Sequence, residues 1–125
     1  MLEVYSLDAV ASENANFPLN NVALEKGGTA QLSGNSTIQL NKCGVYMVSC
    51  DASAAAASTI QLKKNGVLQP QAQATGTSLS FVTLVQVPSN NTNCCCSSPT
   101  ILQVSNPTTA SETLTNLNVC ITKIC

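Results

Sequence analysis

The chain has 125 residues, which corresponds to one domain, and only 9% of them are charged, with a formal net charge of −1. It contains no His, Arg or Trp, which excludes Ser-His-Asp and Cys-His catalysis, His-ligated catalytic zinc and Arg-based phosphate clamps. The near-neutral charge without Arg also argues against a nucleic-acid-binding protein. The few carboxylates form no motif, so we expect neither an enzyme nor a cofactor.

Residues 1–16 are the least patterned part of the chain. We expect them to form an N-terminal strand or arm, followed by one domain over residues 17–125. Alternation over Glu3–Leu7 predicts a strand, and Ala9–Asn16 is expected to be a loop or an arm. The N-terminus lacks a signal-peptide pattern, and no segment reaches the roughly 18 apolar residues of a membrane-spanning helix. We therefore expect synthesis in a cytoplasm without membrane insertion.

Alternation of apolar and polar residues predicts several short β-strands further along the chain. Each apolar set flanks polar residues, so that each strand has one buried and one wetter face. The sets are Ala30/Leu32, Ile38/Leu40, Ile60/Leu62, Leu102/Val104 and Leu117/Val119/Ile121. Turn residues separate them, at Lys26–Gly28, Ser33–Asn35, Asn41–Gly44, Asn65–Gly66, Pro88–Asn91 and Asn106–Pro107. Many short strands between such turns predict an all-β sandwich or barrel.

Two segments between these strands have specific predictions. Asn65–Gly66 lies between two apolar runs and predicts a hairpin with a type I′ turn, because both residues tolerate positive φ. Ser53–Ser58 contains four consecutive Ala residues, which favour a helix by propensity alone. Because β-patterned segments flank it on both sides, we interpret it instead as a small-residue strand or crossover.

The segment Leu79–Val87 predicts a strand that is apolar on both faces. Val82 and Leu84 lie on the face opposite to Leu79 and Phe81. Val45–Val48 likewise has no polar residue. Since a sandwich has one dry face per sheet, the second apolar faces indicate a subunit interface.

Four segments, taken in chain order, resemble the tumour-necrosis-factor and complement-head family of jelly rolls. Asn41–Cys50 (NKCGVYMVSC) resembles the Gly-aromatic strand of this family, and Thr59–Gly66 resembles the strand and Asn-Gly hairpin that follow it. Leu79–Val87 resembles the next long apolar strand, and Thr113–Ile124 resembles the closing strand. The resemblance covers about residues 17–125 and extends to small phage virion proteins and to the heads of collagen-like spore-coat glycoproteins.

This resemblance implies a ten-stranded antiparallel jelly roll that assembles as a homotrimer, with an exposed binding or covering role. Without a Gly-X-Y stalk, the preferred interpretation is a bacteriophage virion protein, a capsid decoration or fibre-head module on the virion surface. Its partners would be other virion proteins, with surface glycans as a candidate ligand. The alternatives are a bacterial spore- or cell-surface adhesion head and a thiol-redox or metal-thiolate protein. We expect Tyr46, Val82 and Leu84, or their strand neighbours, near the threefold contact.

Three consecutive cysteines, Cys94, Cys95 and Cys96, are the most unusual feature of the sequence. The preferred interpretation is a loop whose thiols pack as small apolar groups. The alternatives are disulfides formed after release into an oxidising medium, and a metal site built from thiolates. Seven cysteines cannot all pair within one chain, and the absence of C-x-x-C spacing argues against the metal site.

Overall fold

The computed structural model describes residues 1–88 and 95–124, with side chains described for 1–88 and 100–124. The described residues form eight strands. They are β1 (Leu2–Ala11), β2 (Asn21–Glu25), β3 (Ala30–Ser33), β4 (Thr37–Lys42), β5 (Gly44–Lys64), β6 (Val67–Val87), β7 (Cys95–Ser105) and β8 (Glu112–Lys123). Every pairing between these strands is antiparallel. In this part of the chain there is no helix of the length and apolarity needed to cross a bilayer.

The two longest strands each belong to two sheets. The first half of β5 pairs with β8, and its second half pairs with β7, while β6 follows β5 along most of its length. The first sheet therefore has the order β2-β1-β8-β5-β6, and the second has the order β3-β4-β7-β5-β6. Because β5 and β6 count in both sheets, eight strands occupy the ten strand positions that the resemblance implied.

The crossing between the two sheets lies in the alanine run of β5. The β5–β6 register shifts between Ser53 and Ser58, so that four residues of β5 stand opposite a single residue of β6. Small side chains at 54–57 let the strand bend there without steric conflict. The run is extended and lies within β5, which confirms the prediction of a small-residue crossover instead of a helix.

Strand β1 is a central part of the first sheet. It pairs with β8 from Leu2 to Ala11 and with β2 on its other side. Leu2 and Val4 are fully buried in the core. The strand predicted from Glu3 to Leu7 is thus present but longer, and the loop expected from Ala9 begins only after Ala11. The reason is tertiary, because Ala9 and Ala11 are buried against the rest of the sandwich although their own sequence context is weakly patterned.

The core lies between the two sheets. The inward faces of both sheets form one contiguous apolar cluster, whose largest fully buried members include Tyr46, Phe17, Leu40, Leu62, Leu102 and Leu117. All five alternating sets predicted from the sequence lie in strands, and the apolar members of four of them are buried. The exception is Leu32 of β3, which is partly buried against the cluster. Face-to-face packing of two antiparallel sheets makes the fold a β-sandwich.

The hairpin between β5 and β6 has the predicted geometry. Lys64 pairs with Val67, which leaves Asn65 and Gly66 as the two turn residues. Their φ angles are 52° and 82°, the positive values that a type I′ turn requires. Asn65 also binds the neighbouring strand β7, since its backbone N–H donates to the Ile101 carbonyl and its Oδ1 accepts from the Ile101 N–H, both at 2.8 Å.

Candidate functional site

The outward face of the first sheet carries an exposed apolar patch where β5 meets β6. Met47 lies directly opposite Leu84 in the register, and Val82 is two pairs further along, opposite Ser49. The exposed fractions are 40% for Met47, 60% for Val82 and 58% for Leu84. We call these three residues the β6 patch. Large apolar side chains exposed side by side on one sheet face are typical of an interaction surface.

Tyr46 lies on the opposite face of β5 from this patch. It is fully buried, and its hydroxyl donates to the Lys42 carbonyl at 2.7 Å. The pleat of β5 turns the Tyr46 ring into the core, and the threefold contact expected at Tyr46, Val82 and Leu84, or at their strand neighbours, stays a prediction. Met47, the strand neighbour of Tyr46, takes the outward position, and Val82 and Leu84 are outward as predicted.

The same outward face becomes polar towards its centre. Glu3 of β1 accepts a hydrogen bond from Asn118 Nδ2 of β8 at 3.0 Å. Asn118 pairs in turn with Asp51 of β5, whose side chain is exposed. This polar strip separates the β6 patch from two further exposed apolar residues at the other side of the sheet.

Those two residues are Leu7 and Leu24, which we call the β1 patch. Leu7 of β1 is 65% exposed, and Leu24 of β2 is 36% exposed. Leu24 pairs with Glu3, and Leu7 follows Glu3 on the same face at the strand period of two. One sheet face therefore carries two different apolar patches near opposite edges.

Strand β6 forms an edge of both sheets. It pairs with β5, and no other described strand pairs with it. The side of β6 that faces away from β5 therefore carries no backbone ladder with another described strand. Pro70 near its start is compatible with this position, because proline cannot donate to a second ladder.

Three cysteines lie among the residues with described side chains. Cys50 is fully buried between the sheets, and this burial, together with the nearby Asp51 carboxylate, raises the pKa of its thiol to about 12. Cys120 is partly exposed on the outward face of the first sheet, and burial and the charge of Glu3 raise its pKa. Cys43 is buried between β4 and β5. A raised pKa keeps Cys50 and Cys120 in the thiol form, which is the less reactive form.

The thiol cluster predicted at Cys94, Cys95 and Cys96 lies outside the residues with described side chains. The register places Cys95 opposite Lys42 at the start of β7. Elsewhere, over 1–88 and 100–124, no three His, Cys, Asp or Glu side chains gather closely enough to hold a metal ion. The choice between thiol packing, disulfides and a metal site stays a prediction.

A pocket of about 160 Å³ lies at the end of the sandwich where the Asn65–Gly66 turn is. Three distant parts of the chain converge on it: the β5–β6 hairpin, the end of β7 with the following turn, and the loop after β1. Its lining residues are Asn14, Lys63, Gly66, Leu68, Ser105, Asn106 and Pro107. The turns at Asn65–Gly66 and Asn106–Pro107 are predictable from the sequence, but their convergence is not, because contacts between segments about 40 and 90 residues apart leave no local signal.

Asn106 fixes this end of the molecule. Its side chain is fully buried, and Nδ2 donates to the carbonyls of Ala11, Ser12 and Ala110 at 3.2, 3.3 and 2.7 Å. Its Oδ1 accepts from the N–H and the hydroxyl of Thr108, at 2.9 and 2.6 Å. One amide thus ties the loop after β1 to the turn before β8.

Comparison with known proteins reveals similarity of structure but not of sequence. No protein-family model and no curated protein matches the sequence. Among solved structures, PRD1 vertex protein P5 is similar with a TM-score of 0.65 and 13% identity, over 99% of this chain and 96% of that one. Murine APRIL has a TM-score of 0.63 and 9% identity, covering 98% of each chain. The globular domain of zebrafish complement 1qA protein has a TM-score of 0.63 and 12% identity, covering 95% and 94%.

These three structures cover 95–99% of this chain. TM-scores of 0.63–0.65 establish the fold, whereas identities of 9–13% leave the role of the protein open. The resemblance inferred from the four sequence segments is confirmed at the level of architecture. The chain has the antiparallel jelly-roll fold of the tumour-necrosis-factor and complement C1q domains.

Proposed function

We propose that this protein is a structural module of a bacteriophage virion, which assembles as a homotrimer and is exposed on the particle. The observation that carries the proposal is the full-length similarity to PRD1 vertex protein P5, a protein named for its place in a particle. The similarity covers 99% of this chain and 96% of that chain, so it does not depend on a short shared segment. In this role the chain is a binding or covering protein and not an enzyme.

The outward face of the first sheet supports the homotrimer. A closed threefold ring requires a heterologous contact, in which one surface of each subunit meets a different surface of the next. The β6 patch and the β1 patch are two such surfaces on one face. Both are apolar, and few charges would be desolvated if they were covered, since charged residues make up only 9% of the chain.

Assembly is tested by multi-angle light scattering of the purified protein together with two variants. The wild type is expected at about three times the 12.9 kDa of the chain. Leu84→Asp places a charge in the β6 patch and is expected to give monomers, because an unpaired carboxylate is costly to bury in an interface. Gln73→Asp is the matched control, because Gln73 is exposed on the same strand but in the second sheet, and it should leave the trimer intact.

A monodisperse wild-type monomer would overturn the trimer. Dissociation by Gln73→Asp as strongly as by Leu84→Asp would also contradict the assignment of the interface to the β6 patch. Circular dichroism of each variant establishes that the monomer is still folded, which separates loss of assembly from loss of the fold.

The virion role is tested on particles. A phage whose genome encodes this chain is purified, and its particles are analysed by mass spectrometry and cryo-electron microscopy. We expect the chain in the particles, with density for a threefold jelly roll on their outer surface. Absence of the chain from purified particles would contradict the virion role and favour an adhesion head on a spore or cell surface.

A further inference from the structure

The pocket at the Asn65–Gly66 end has walls that are held in place before any ligand arrives. The hairpin wall is bound to Ile101 through the backbone and side chain of Asn65. The opposite wall is held by the hydrogen bonds of Asn106, and Ser105 is fixed by donation from its hydroxyl to the Gln61 carbonyl at 3.2 Å. Such preorganisation reduces the entropy cost of binding.

Two polar side chains in the lining have no partner within the described part of the chain. The Lys63 ammonium group makes neither a hydrogen bond nor an ion pair there, and the Asn14 side-chain amide makes no hydrogen bond. The other lysine of the hairpin, Lys64, differs, because its Nζ donates to the Gln86 carbonyl at 2.8 Å. Lys63 and Asn14 are thus available to a ligand from two sides of the pocket.

The remaining lining adds an apolar side and no negative charge. Leu68 is 41% exposed, and Pro107 of the turn after β7 also lines the pocket. No carboxylate belongs to the lining, and the neighbouring Glu13 is exposed to solvent. The pocket therefore offers a cation, an amide that both donates and accepts, and an apolar surface for a ring.

We infer that this pocket binds one carboxylate-bearing sugar residue, such as a uronic acid at the end of a surface glycan. Lys63 pairs with the carboxylate, Asn14 bonds to ring hydroxyls, and Leu68 with Pro107 contacts the C–H face of the ring. At about 160 Å³ the pocket is smaller than the roughly 300–1,000 Å³ of a typical ligand site, so it holds one residue and not a longer chain. This inference deepens the proposed function by giving the exposed module a ligand class.

The test is an NMR titration of ¹⁵N-labelled protein with D-glucuronate and with D-glucose. The two sugars differ only in the carboxylate, so glucose is the matched control ligand. We expect glucuronate to shift the amide resonances of Asn14, Gly66 and Asn106, with a dissociation constant on the order of millimolar. Glucose is expected to bind at least about tenfold more weakly, because it lacks the charge-assisted hydrogen bond.

Two lysine variants test whether Lys63 is the residue that binds the carboxylate. Lys63→Gln should remove the preference for glucuronate, whereas Lys64→Gln should leave it unchanged. Equal binding of both sugars, shifts confined to other parts of the surface, or equal loss in both variants would each overturn the inference. If acetate binds as tightly as glucuronate, the pocket recognises a carboxylate and not a sugar, and this result would also overturn the inference.

The outcome is independent of the assembly and particle experiments. All lining residues belong to one chain, so the pocket is titrated equally well in a trimer and in the Leu84→Asp monomer. Failure of the titration with an intact trimer removes only the sugar site. Failure of the trimer with a positive titration removes only the proposed assembly.

Discussion

At the scale of single residues, Gly66 is the position where the sequence alone specifies the backbone. Its φ of 82° disfavours any side chain with a Cβ, although a Cβ there would meet no atom within 4 Å. We therefore expect Gly66→Val to destabilise the protein by about 1–3 kcal/mol through backbone strain alone. Urea unfolding at fixed protein concentration measures the change in the free energy of unfolding.

Gly66→Asn is the control for this prediction, because asparagine tolerates positive φ. It should cost clearly less than Gly66→Val. Equal stability of the wild type and the valine variant would contradict a turn that depends on positive φ.

Cys50 gives a pH-dependent prediction. Its pKa is raised from 9.0 to about 12 in the folded protein, mainly by burial, so the folded state holds its proton where the unfolded state loses it. The stabilisation is complete below pH 9 and is lost as the pH rises from 9 towards 12. The slope expected from one proton is about 1.4 kcal/mol per pH unit.

The measurement is urea unfolding of the wild type and of Cys50→Ala between pH 8 and pH 11. The variant loses stability at every pH because a buried side chain is shortened, so the slopes are compared and not the absolute values. The wild type should have the steeper decline above pH 9. Parallel slopes would mean that Cys50 does not titrate differently in the two states.

At the scale of elements, strand β1 changes the face that it buries at Asp8. Its φ is 52°, and the buried residues change from the series Leu2, Val4 and Ser6 to the series Ala9 and Ala11. On the paired strand, Leu114 and Leu117 are both buried although they are three residues apart. At Asp8 and Thr115 the inward and outward faces of β1 and β8 are therefore exchanged, although the pairing of the two strands keeps the same register on both sides of this point.

We expect Asp8→Val to destabilise the protein by about 1–2 kcal/mol, because a β-branched residue is strained at positive φ. Asp8→Gly should be neutral or slightly stabilising, since glycine adopts this conformation without strain. Thermal unfolding at matched protein concentrations compares the three proteins. A valine variant as stable as the glycine variant would exclude strain at this position.

Sequence patterns were sufficient for those elements whose own residues alternate. Strands β3, β4, β7 and β8 and the Asn65–Gly66 hairpin lie where the alternation and the turn residues predicted them. Strand β1 was underestimated, because its burial at Ala9 and Ala11 comes from its neighbours and small alanines carry little hydrophobic pattern. The outward position of Met47 in place of Tyr46 depends on the phase of β5, and an unbroken apolar run does not specify that phase.

At the scale of the whole molecule, the N-terminal strand completes the sandwich. Deletion of residues 1–11 removes Leu2 and Val4 from the core and leaves one side of β8 unpaired. Burial of two such side chains is worth about 1.5–3 kcal/mol each, and β8 would gain an exposed edge. We expect the shortened chain to remain unfolded, as monitored by the dispersion of its NMR spectrum.

A short Gly-Ser extension before Met1 is the matched control. Met1 is 43% exposed, so the extension should leave folding unchanged. A folded protein after the deletion would contradict a structural role of residues 1–11 and would mean that they form a dispensable arm.

The sequence by itself determined the all-β fold class and the two apolar faces of β6. Both depend on which residues are apolar at alternate positions of a strand, and this pattern is local to each segment. The sequence also located the crossover at 54–57 and the turn at Asn65–Gly66, where small residues and positive φ act within a few positions. Only the tertiary structure decided which face of β5 is outward, where β1 ends, and that Lys63 and Asn14 line one pocket. These properties arise from contacts between segments far apart in the chain, and local patterns carry no information about such contacts.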